Sequence, residues 1–91
     1  MQTKDVITKK LTEAFTPESL RVEDESHLHA GHAHAPEGGE SHFRVEVVSS
    51  AFAGLSRVAR QRLVYGLLAE EMQGRVHALA LRTLTPEEDR A

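Results

Sequence analysis

The sequence predicts an α+β fold, because helical and strand patterns alternate along one short chain. With 91 residues, 40% of them hydrophobic, the chain has the size and composition of one small globular domain. The predicted order is helix, strand, long loop, strand, helix, strand. The loop should let the first two strands pair antiparallel, whereas the helical crossover favours a parallel third strand. The pattern therefore indicates an αββαβ sandwich, in which helices pack on one face of a three-stranded mixed sheet.

The first helix is predicted over residues 3–15. Thr3 is a suitable N-cap, and Asp5 places a negative charge in the first turn, where the helix dipole favours it. Apolar residues recur on one helical face, at Ile7, Leu11, Ala14 and Phe15. Pro17 ends the helix, since the residue before a proline is biased out of the helical region. Residues 19–24 then alternate weakly, which indicates a short, half-exposed strand.

The second half of the chain continues with strand, helix and strand. Residues 42–48 alternate most clearly between apolar and polar side chains. A second helix is predicted over residues 56–72, with Ser56 as its N-cap. Residues 76–81 form the third strand, whose small or apolar side chains on both faces predict an interior position in the sheet. Residues 86–91 close the single domain as a frayed tail or a short helix.

Composition and motifs exclude several classes of protein. The absence of cysteine excludes disulfide bonds and a thiol nucleophile. A net charge of −3 argues against bulk nucleic-acid binding. No apolar run approaches the ~20 residues that span a bilayer, and the N-terminus lacks a signal-peptide pattern, so a cytoplasmic protein without a membrane association is expected. Recognised catalytic motifs such as HExxH or GxSxG are also absent, which predicts that the protein is not an enzyme.

The six histidines are the strongest chemical signal. Four of them lie in the aperiodic, glycine-containing segment 26–41, at His27, His29, His32 and His34. Imidazoles bind zinc, copper, nickel or iron, but without thiolates they do not build an ordinary iron–sulfur site. Two interpretations of this loop stay open, a weak metal-binding segment and a solvated loop with incidental histidines. In both cases, we expect residues 27–38 to be mobile in the free protein.

Two further features lie outside the loop. His42 and His77 stand at the entrances of the second and third strands, which a parallel pairing would bring close together. Spacing alone marks neither as a ligand, since a half-buried His77 bonded to backbone explains the pattern. Arg57, Arg60 and Arg62 lie in the first turns of the second helix, where each cation opposes the helix dipole by about 0.3–1 kcal/mol. They indicate either a surface for an anionic partner, next to His77, or a solvated basic face.

Several motifs in combination resemble the BolA family, over about residues 5–88. They are Asp24–Ser26, Glu40–Phe43, Phe52–Arg60, Leu63–Tyr65, Val76–Ala80 and Thr85–Pro86. The resemblance implies a KH-like fold of the class II type. It also implies a non-enzymatic partner of monothiol glutaredoxins, acting in iron–sulfur cluster assembly or transfer or in iron homeostasis.

The resemblance further implies a set of metal ligands. In the family, the histidine of the Val-His-Ala-Leu strand is a cluster ligand, and it corresponds to His77. A second ligand comes from the loop between the first two strands. Counting forward from the first motif points to His29, whereas counting back from the second points to His32 or His34. The family's helix histidine is replaced here by Gln61, so any role of that residue is absent.

The implied cofactor is a [2Fe–2S] cluster shared with a glutaredoxin cysteine and a glutathione thiol, in a ligation like that of Rieske centres. We expect the lone chain to hold no metal tightly and to be a monomer that forms a heterodimer with its partner. Arg57, Arg60 and Arg62 are expected to contact that partner. The alternative is a KH-like, nucleic-acid-binding transcriptional regulator. The arginine cluster supports it, whereas the missing Gly-x-x-Gly loop and the negative charge oppose it.

Overall fold

The computed structural model describes residues 2–25, 42–74 and 76–91. The elements are α1 (Thr3–Phe15), β1 (Ser19–Asp24), β2 (His42–Val48), a 3₁₀ turn (Ser50–Phe52), α2 (Arg57–Leu67), α3 (Ala69–Gln73), β3 (Ala78–Leu84) and α4 (Pro86–Arg90). β2 pairs antiparallel with β1 and parallel with β3, which confirms the predicted mixed sheet. The predicted loop over residues 26–41, with the mobility expected of residues 27–38, lies outside the described residues.

The core lies on one face of the sheet. Phe43 and Val45 of β2 are 2% and 1% exposed, and Ile7 and Leu11 of α1 are fully buried against them. The opposite face carries charged side chains, at Arg21, Glu23, Arg44, Glu46 and Arg82. The helices therefore pack on one face, as predicted. None of the described helices is long and apolar enough to cross a membrane.

The bounds of α1 are as predicted, whereas its N-cap and the extent of the second helix differ from the prediction. α1 is capped by Gln2 rather than by Thr3, because the Gln2 backbone N–H donates to the Asp5 carboxylate at 3.2 Å. The second predicted helix is divided at Leu68, whose φ of −99° and ψ of 20° leave the helical region between α2 and α3. The apolar period that predicted one helix continues across this break, since Leu68 itself is buried in the core.

β3 is an edge strand, so its predicted interior position is wrong. It pairs only with β2, which is the central strand of the described sheet. The strand looks interior by sequence because Ala78 and Ala80 stand on its solvent face, where they are exposed. Leu79 and Leu81 on the other face pack against the core. Alanine fits a solvent face as readily as a covered one, so composition did not distinguish the two positions.

The tail is a capped helix, so the prediction of a frayed tail is wrong and that of a short helix is confirmed. Thr85 caps α4, since its Oγ1 accepts from the Glu88 N–H at 3.2 Å and the Glu88 carboxylate accepts from the Thr85 N–H at 2.8 Å. Pro86 occupies the first helical position, where its missing N–H costs nothing. Arg60 of α2 donates to Glu88 at 2.6 Å and ties α4 to the rest of the fold.

Candidate functional site at the histidine end of the sheet

His42 and His77 lie side by side at one end of the sheet, called here the histidine end. In the parallel pairing of β2 with β3, His42 stands opposite Ala78, the residue that follows His77. The two imidazole ring centroids are 6.5 Å apart, and the ring planes differ by 14°. The sequence-based expectation that a parallel pairing brings these histidines close is confirmed.

The backbone of His77 is fixed on both sides, whereas its side chain is exposed. Val76 before it is 3% exposed in the core, and its N–H donates to the Glu71 carbonyl at 3.1 Å. Ala78 after it begins β3. Within the described part of the chain no hydrogen bond is made by the His77 imidazole. This arrangement differs from a half-buried structural histidine and leaves the ring nitrogens available to a ligand.

The segment 26–41 leaves and re-enters the described structure at this same end. The Glu25 N–H donates to the His42 carbonyl at 2.7 Å, so the two residues that flank the segment are joined beside the histidine pair. The candidate loop ligands themselves, His29, His32 and His34, lie outside the described residues.

His42 was not singled out as a candidate ligand from the sequence. It is half-buried at the start of β2, and its nearness to His77 depends on the pairing of strands that are far apart in sequence. A histidine at the entrance of each of two parallel strands was the available signal. Strand periodicity does not give the register, so the signal was incomplete without the tertiary structure.

The described residues do not place enough donor side chains together to hold a metal ion by themselves. Over residues 2–25, 42–74 and 76–91, no group of three or more histidine, cysteine, aspartate or glutamate side chains is placed to hold a metal ion. His77 offers one exposed imidazole donor next to the half-buried His42, whereas zinc sites and the iron atoms of clusters take four ligands. A metal site at this end would need further donors, from residues 26–41 or from another molecule.

The three arginines of α2 do not form one surface. Arg57 and Arg62 are exposed and make no ion pair with any described residue. Arg60 is only 9% exposed, and its guanidinium donates to the Leu55 carbonyl at 3.0 Å, to the Thr83 carbonyl at 3.3 Å and to Glu88. The expectation that Arg60 contacts a partner is therefore corrected, because its donors are used within the fold.

The start of α2 also lies away from His77, so the expected shared surface is not formed. Arg60 contacts Thr83 near the end of β3, whereas Tyr65, further along α2, donates to the Leu79 carbonyl near the beginning of β3 at 3.2 Å. The helix therefore runs opposite to β3. Arg57, at the start of α2, lies beside the last residues of β3 and not at the histidine end.

Two ion pairs between elements of the fold shift the pKa of Glu88 and of Lys10. The hydrogen bond from Arg60, with that from the Thr85 N–H, lowers the pKa of Glu88 from 4.5 to about 2. The hydrogen bond from Lys10 to Glu71, at 2.9 Å, raises the pKa of Lys10. The Lys10–Glu71 pair joins α1 to α3, so both pairs connect elements of the fold rather than building a site.

Comparison with known proteins identifies the class of protein. A family model described as BolA-like protein matches residues 11–88. The chain is 52% identical over 85 residues to the DNA-binding transcriptional regulator BolA of Vibrio cholerae, an alignment covering 93% of this chain and 76% of the relative. It is 55% identical over 80 residues to human BolA-like protein 1. That alignment covers 88% of this chain and 56% of the human protein.

Solved structures agree with this class. The BolA domain of SufE1 from Arabidopsis thaliana superposes with a TM-score of 0.83 at 44% identity, covering 93% of both chains. BolA1 from the same plant gives a TM-score of 0.85 at 38% identity, covering 97% of this chain and 96% of that one. The α+β fold of the described residues and these likenesses together define a BolA-like protein. The chain belongs to the BolA family.

Proposed function

We propose that the chain is a cytoplasmic, non-enzymatic adaptor that shares a [2Fe–2S] cluster with a monothiol glutaredoxin and glutathione. It would act in iron–sulfur cluster assembly or transfer, or in iron homeostasis. His77 is the proposed ligand on the folded domain, and His29, His32 or His34 is the second. The observation that carries the proposal is the exposed His77 imidazole on a fixed backbone, at the end of the sheet where residues 26–41 begin and end.

The histidines of this chain are suited to bind one of the two iron atoms of such a cluster. The chain has six histidines and no cysteine, so it can offer imidazoles but no thiolate. Iron–sulfur clusters are held mainly by thiolates, and in Rieske centres two imidazoles replace them on one iron. A glutaredoxin cysteine and a glutathione thiol would supply the sulfur ligands of the other iron. Bound in this way, the cluster supplies iron and sulfide that can be transferred, or a redox centre.

The chain's own residues hold and orient one ligand. Val76 and the first residues of β3 fix the backbone of His77, so little conformational entropy is lost when its imidazole binds. The loop has four histidines, so one of them can replace another as the second ligand. We therefore expect His77 to contribute more to cluster binding than any single loop histidine.

Docking of the partner is proposed to involve Arg57 and Arg62. Both guanidinium groups are exposed and have no carboxylate partner in the described part of the chain, so they can pair with acidic groups of another protein. The two proteins would form a heterodimer, with the BolA-like chain a monomer when alone.

The test is to coexpress the chain with a monothiol glutaredoxin and to record visible absorption and circular dichroism of the purified complex. The wild-type complex should show cluster absorption, and His77→Ala should lose the visible dichroism because an iron ligand is gone. His42→Ala is the matched control, since it removes an imidazole 6.5 Å away and should keep the signal. Equal spectra and cluster stability for wild type and His77→Ala would show that His77 is not a ligand.

A second candidate function is binding of DNA as a transcriptional regulator. The observation that favours it is the Vibrio cholerae relative, which is named a DNA-binding transcriptional regulator and is 52% identical to this chain. A gel shift at physiological salt, beside a glutaredoxin pull-down, separates the two functions. If Arg57→Glu abolishes sequence-specific DNA binding and leaves glutaredoxin affinity unchanged, the DNA-binding function is favoured.

A further inference from the structure

A groove runs between the first turns of α2 and the second half of β3. It has a volume of about 300 Å³. Its lining residues are Arg57, Gln61, Leu81, Arg82, Thr83 and Leu84. No described strand lies beyond β3, so the floor of the groove includes the free edge of a sheet. The groove is separate from the histidine end, which lies at the other end of β3.

Backbone groups of β3 point into this groove. The Leu84 carbonyl accepts from the Ser49 N–H at 2.9 Å, on the β2 side of the strand. Along a strand, the backbone N–H and C=O groups of successive residues point alternately to its two sides. Those of Leu81 and Thr83 therefore point to the outer edge of β3, away from β2. The Thr83 carbonyl accepts from Arg60, which confirms this direction. Among residues 2–25, 42–74 and 76–91, no bond is made at the outer edge by the Thr83 N–H or by either backbone group of Leu81, so these groups can bond to an added chain.

The charge of the groove selects what can bind there. Its lining contains two arginines and no carboxylate. Arg57 makes no ion pair in the described part of the chain. Arg82 has only a 3.4 Å contact with Glu46, on the face of the sheet opposite the core. A guanidinium group binds a carboxylate through two parallel hydrogen bonds, so these residues favour an acidic ligand.

We propose that the groove binds a short, extended, acidic segment of a partner protein. The segment adds to the outer edge of β3 by backbone hydrogen bonds at Leu81 and Thr83, and a carboxylate of the segment pairs with Arg57. The inference rests on the proposed function only for the docking role of Arg57, and it requires no metal.

Fluorescence anisotropy on the full, metal-free chain tests the inference. The probe is a fluorescein-labelled peptide of about eight residues, the length of an ordinary strand, in which Glu and Val alternate. A peptide with Gln in place of Glu is its control. The Glu peptide should bind about tenfold more tightly than the Gln peptide, the factor expected for one charge-assisted hydrogen bond.

Three variants locate the binding site. Arg57→Glu should weaken binding of the Glu peptide about tenfold, since it reverses the charge that meets the carboxylate. Arg21→Glu is the matched control, an equal charge change at a side chain 68% exposed on β1, and it should have no comparable effect. Thr83→Pro removes an outward N–H from an edge strand and should also weaken binding. Thermal unfolding monitors folding of each variant.

Three results would overturn the inference: equal binding of the Glu and Gln peptides, equal effects of Arg57→Glu and Arg21→Glu, or Arg57-dependent binding of duplex DNA without any binding of the Glu peptide. The last would assign the groove to nucleic acid. Failure here leaves the cluster proposal intact, because no metal or glutaredoxin is present. His77→Ala, conversely, should bind the peptide as wild type does.

Discussion

The two ends of the sheet differ in how their polar groups are used. At the histidine end, an exposed imidazole stands at the start of β3 with no hydrogen bond to any described residue. At the other end, called here the closed end, β2 and β3 finish among Ser49, Arg60 and α4, whose polar groups bond to one another. The difference indicates that polar side chains bond within the fold at one end, whereas an imidazole is left exposed at the other.

At the closed end, a few side chains join elements that are distant in sequence. Ser49 is fully buried, donates from Oγ to the Phe15 carbonyl at 2.7 Å and accepts from the Ala51 N–H at 3.1 Å. Arg60 joins α2 to β3 and α4. Across the described part of the chain, no buried side-chain nitrogen or oxygen lacks a partner. Substitutions of these bonded polar side chains should therefore lower the free energy of unfolding, whereas truncation of the exposed His77 side chain should have little effect.

The largest effect on stability is expected at Arg60. Arg60→Met removes the hydrogen bonds that Arg60 donates to the Leu55 and Thr83 carbonyls and to the Glu88 carboxylate, and should lower the free energy of unfolding by about 2–3 kcal/mol. Urea unfolding followed by circular dichroism measures it. Arg62→Met, an exposed arginine of the same helix, should change stability by no more than about 0.5 kcal/mol. Equal effects of the two substitutions would refute the structural role given to Arg60.

Ser49 should come next. Ser49→Ala removes one donor and one acceptor from a fully buried position, so the free energy of unfolding should fall by about 1–2 kcal/mol. Ser50→Ala, at the exposed neighbouring residue, is the control for the serine-to-alanine change itself. An unchanged urea midpoint for Ser49→Ala would mean that the closed end does not depend on this contact.

A smaller effect, with a defined pH dependence, is expected at Glu88. Arg60 lowers the pKa of Glu88 in the folded chain from 4.5 to about 2, so the ionised carboxylate stabilises the fold above about pH 4.5. That contribution is lost as the pH falls from about 4.5 towards about 2, because the unfolded state takes up the proton first. Glu88→Gln should therefore be less stable than wild type at pH 7, and the difference should shrink in that range.

Thermal unfolding between pH 7 and pH 2 measures the Glu88 effect. Glutamine still serves at the third position of a capping box, so the substitution isolates the charge. Glu87→Gln changes the same charge on the same helix at a residue outside the Arg60 contact, and it should not reproduce the pH dependence. A constant difference between wild type and Glu88→Gln across the pH range would contradict the assigned ion pair.

The smallest effect on stability is expected at His77. His77→Ala truncates an exposed side chain and should cost about 1 kcal/mol or less, although cluster binding should be lost. Val76→Ala, one residue earlier, removes a core side chain that is 3% exposed and should cost clearly more. If urea unfolding shows His77→Ala to be as destabilising as Val76→Ala, the interpretation of His77 as an exposed side chain without a structural role is wrong.

The sequence predicted the local elements well, because each depends on a short pattern. The alternation of β2 and the apolar face of α1 indicated which side chains are buried, and Phe43, Val45, Ile7 and Leu11 are in the core. The crossover rule predicted the parallel pairing of β2 with β3, and with it the nearness of the two strand-entrance histidines. The motifs around Val76–Ala80 were specific enough to indicate the family that the comparisons show.

Contacts between elements distant in sequence decided the rest. Sequence placed Arg60 in one exposed cluster with Arg57 and Arg62, since all three share a charge and a helix. Packing against β3 and α4 turned Arg60 into a buried structural residue and left the other two exposed. β3 is likewise an edge strand because β2 lies between the other two strands of the described sheet. Strand order depends on contacts between segments distant in sequence, which composition does not record.

Sequence by itself thus determined the elements, their apolar faces and the histidines available as ligands, because these follow from residue type and local period. Tertiary structure alone decided which polar side chains form hydrogen bonds within the fold and which remain exposed. That outcome depends on which groups of other elements lie next to each side chain.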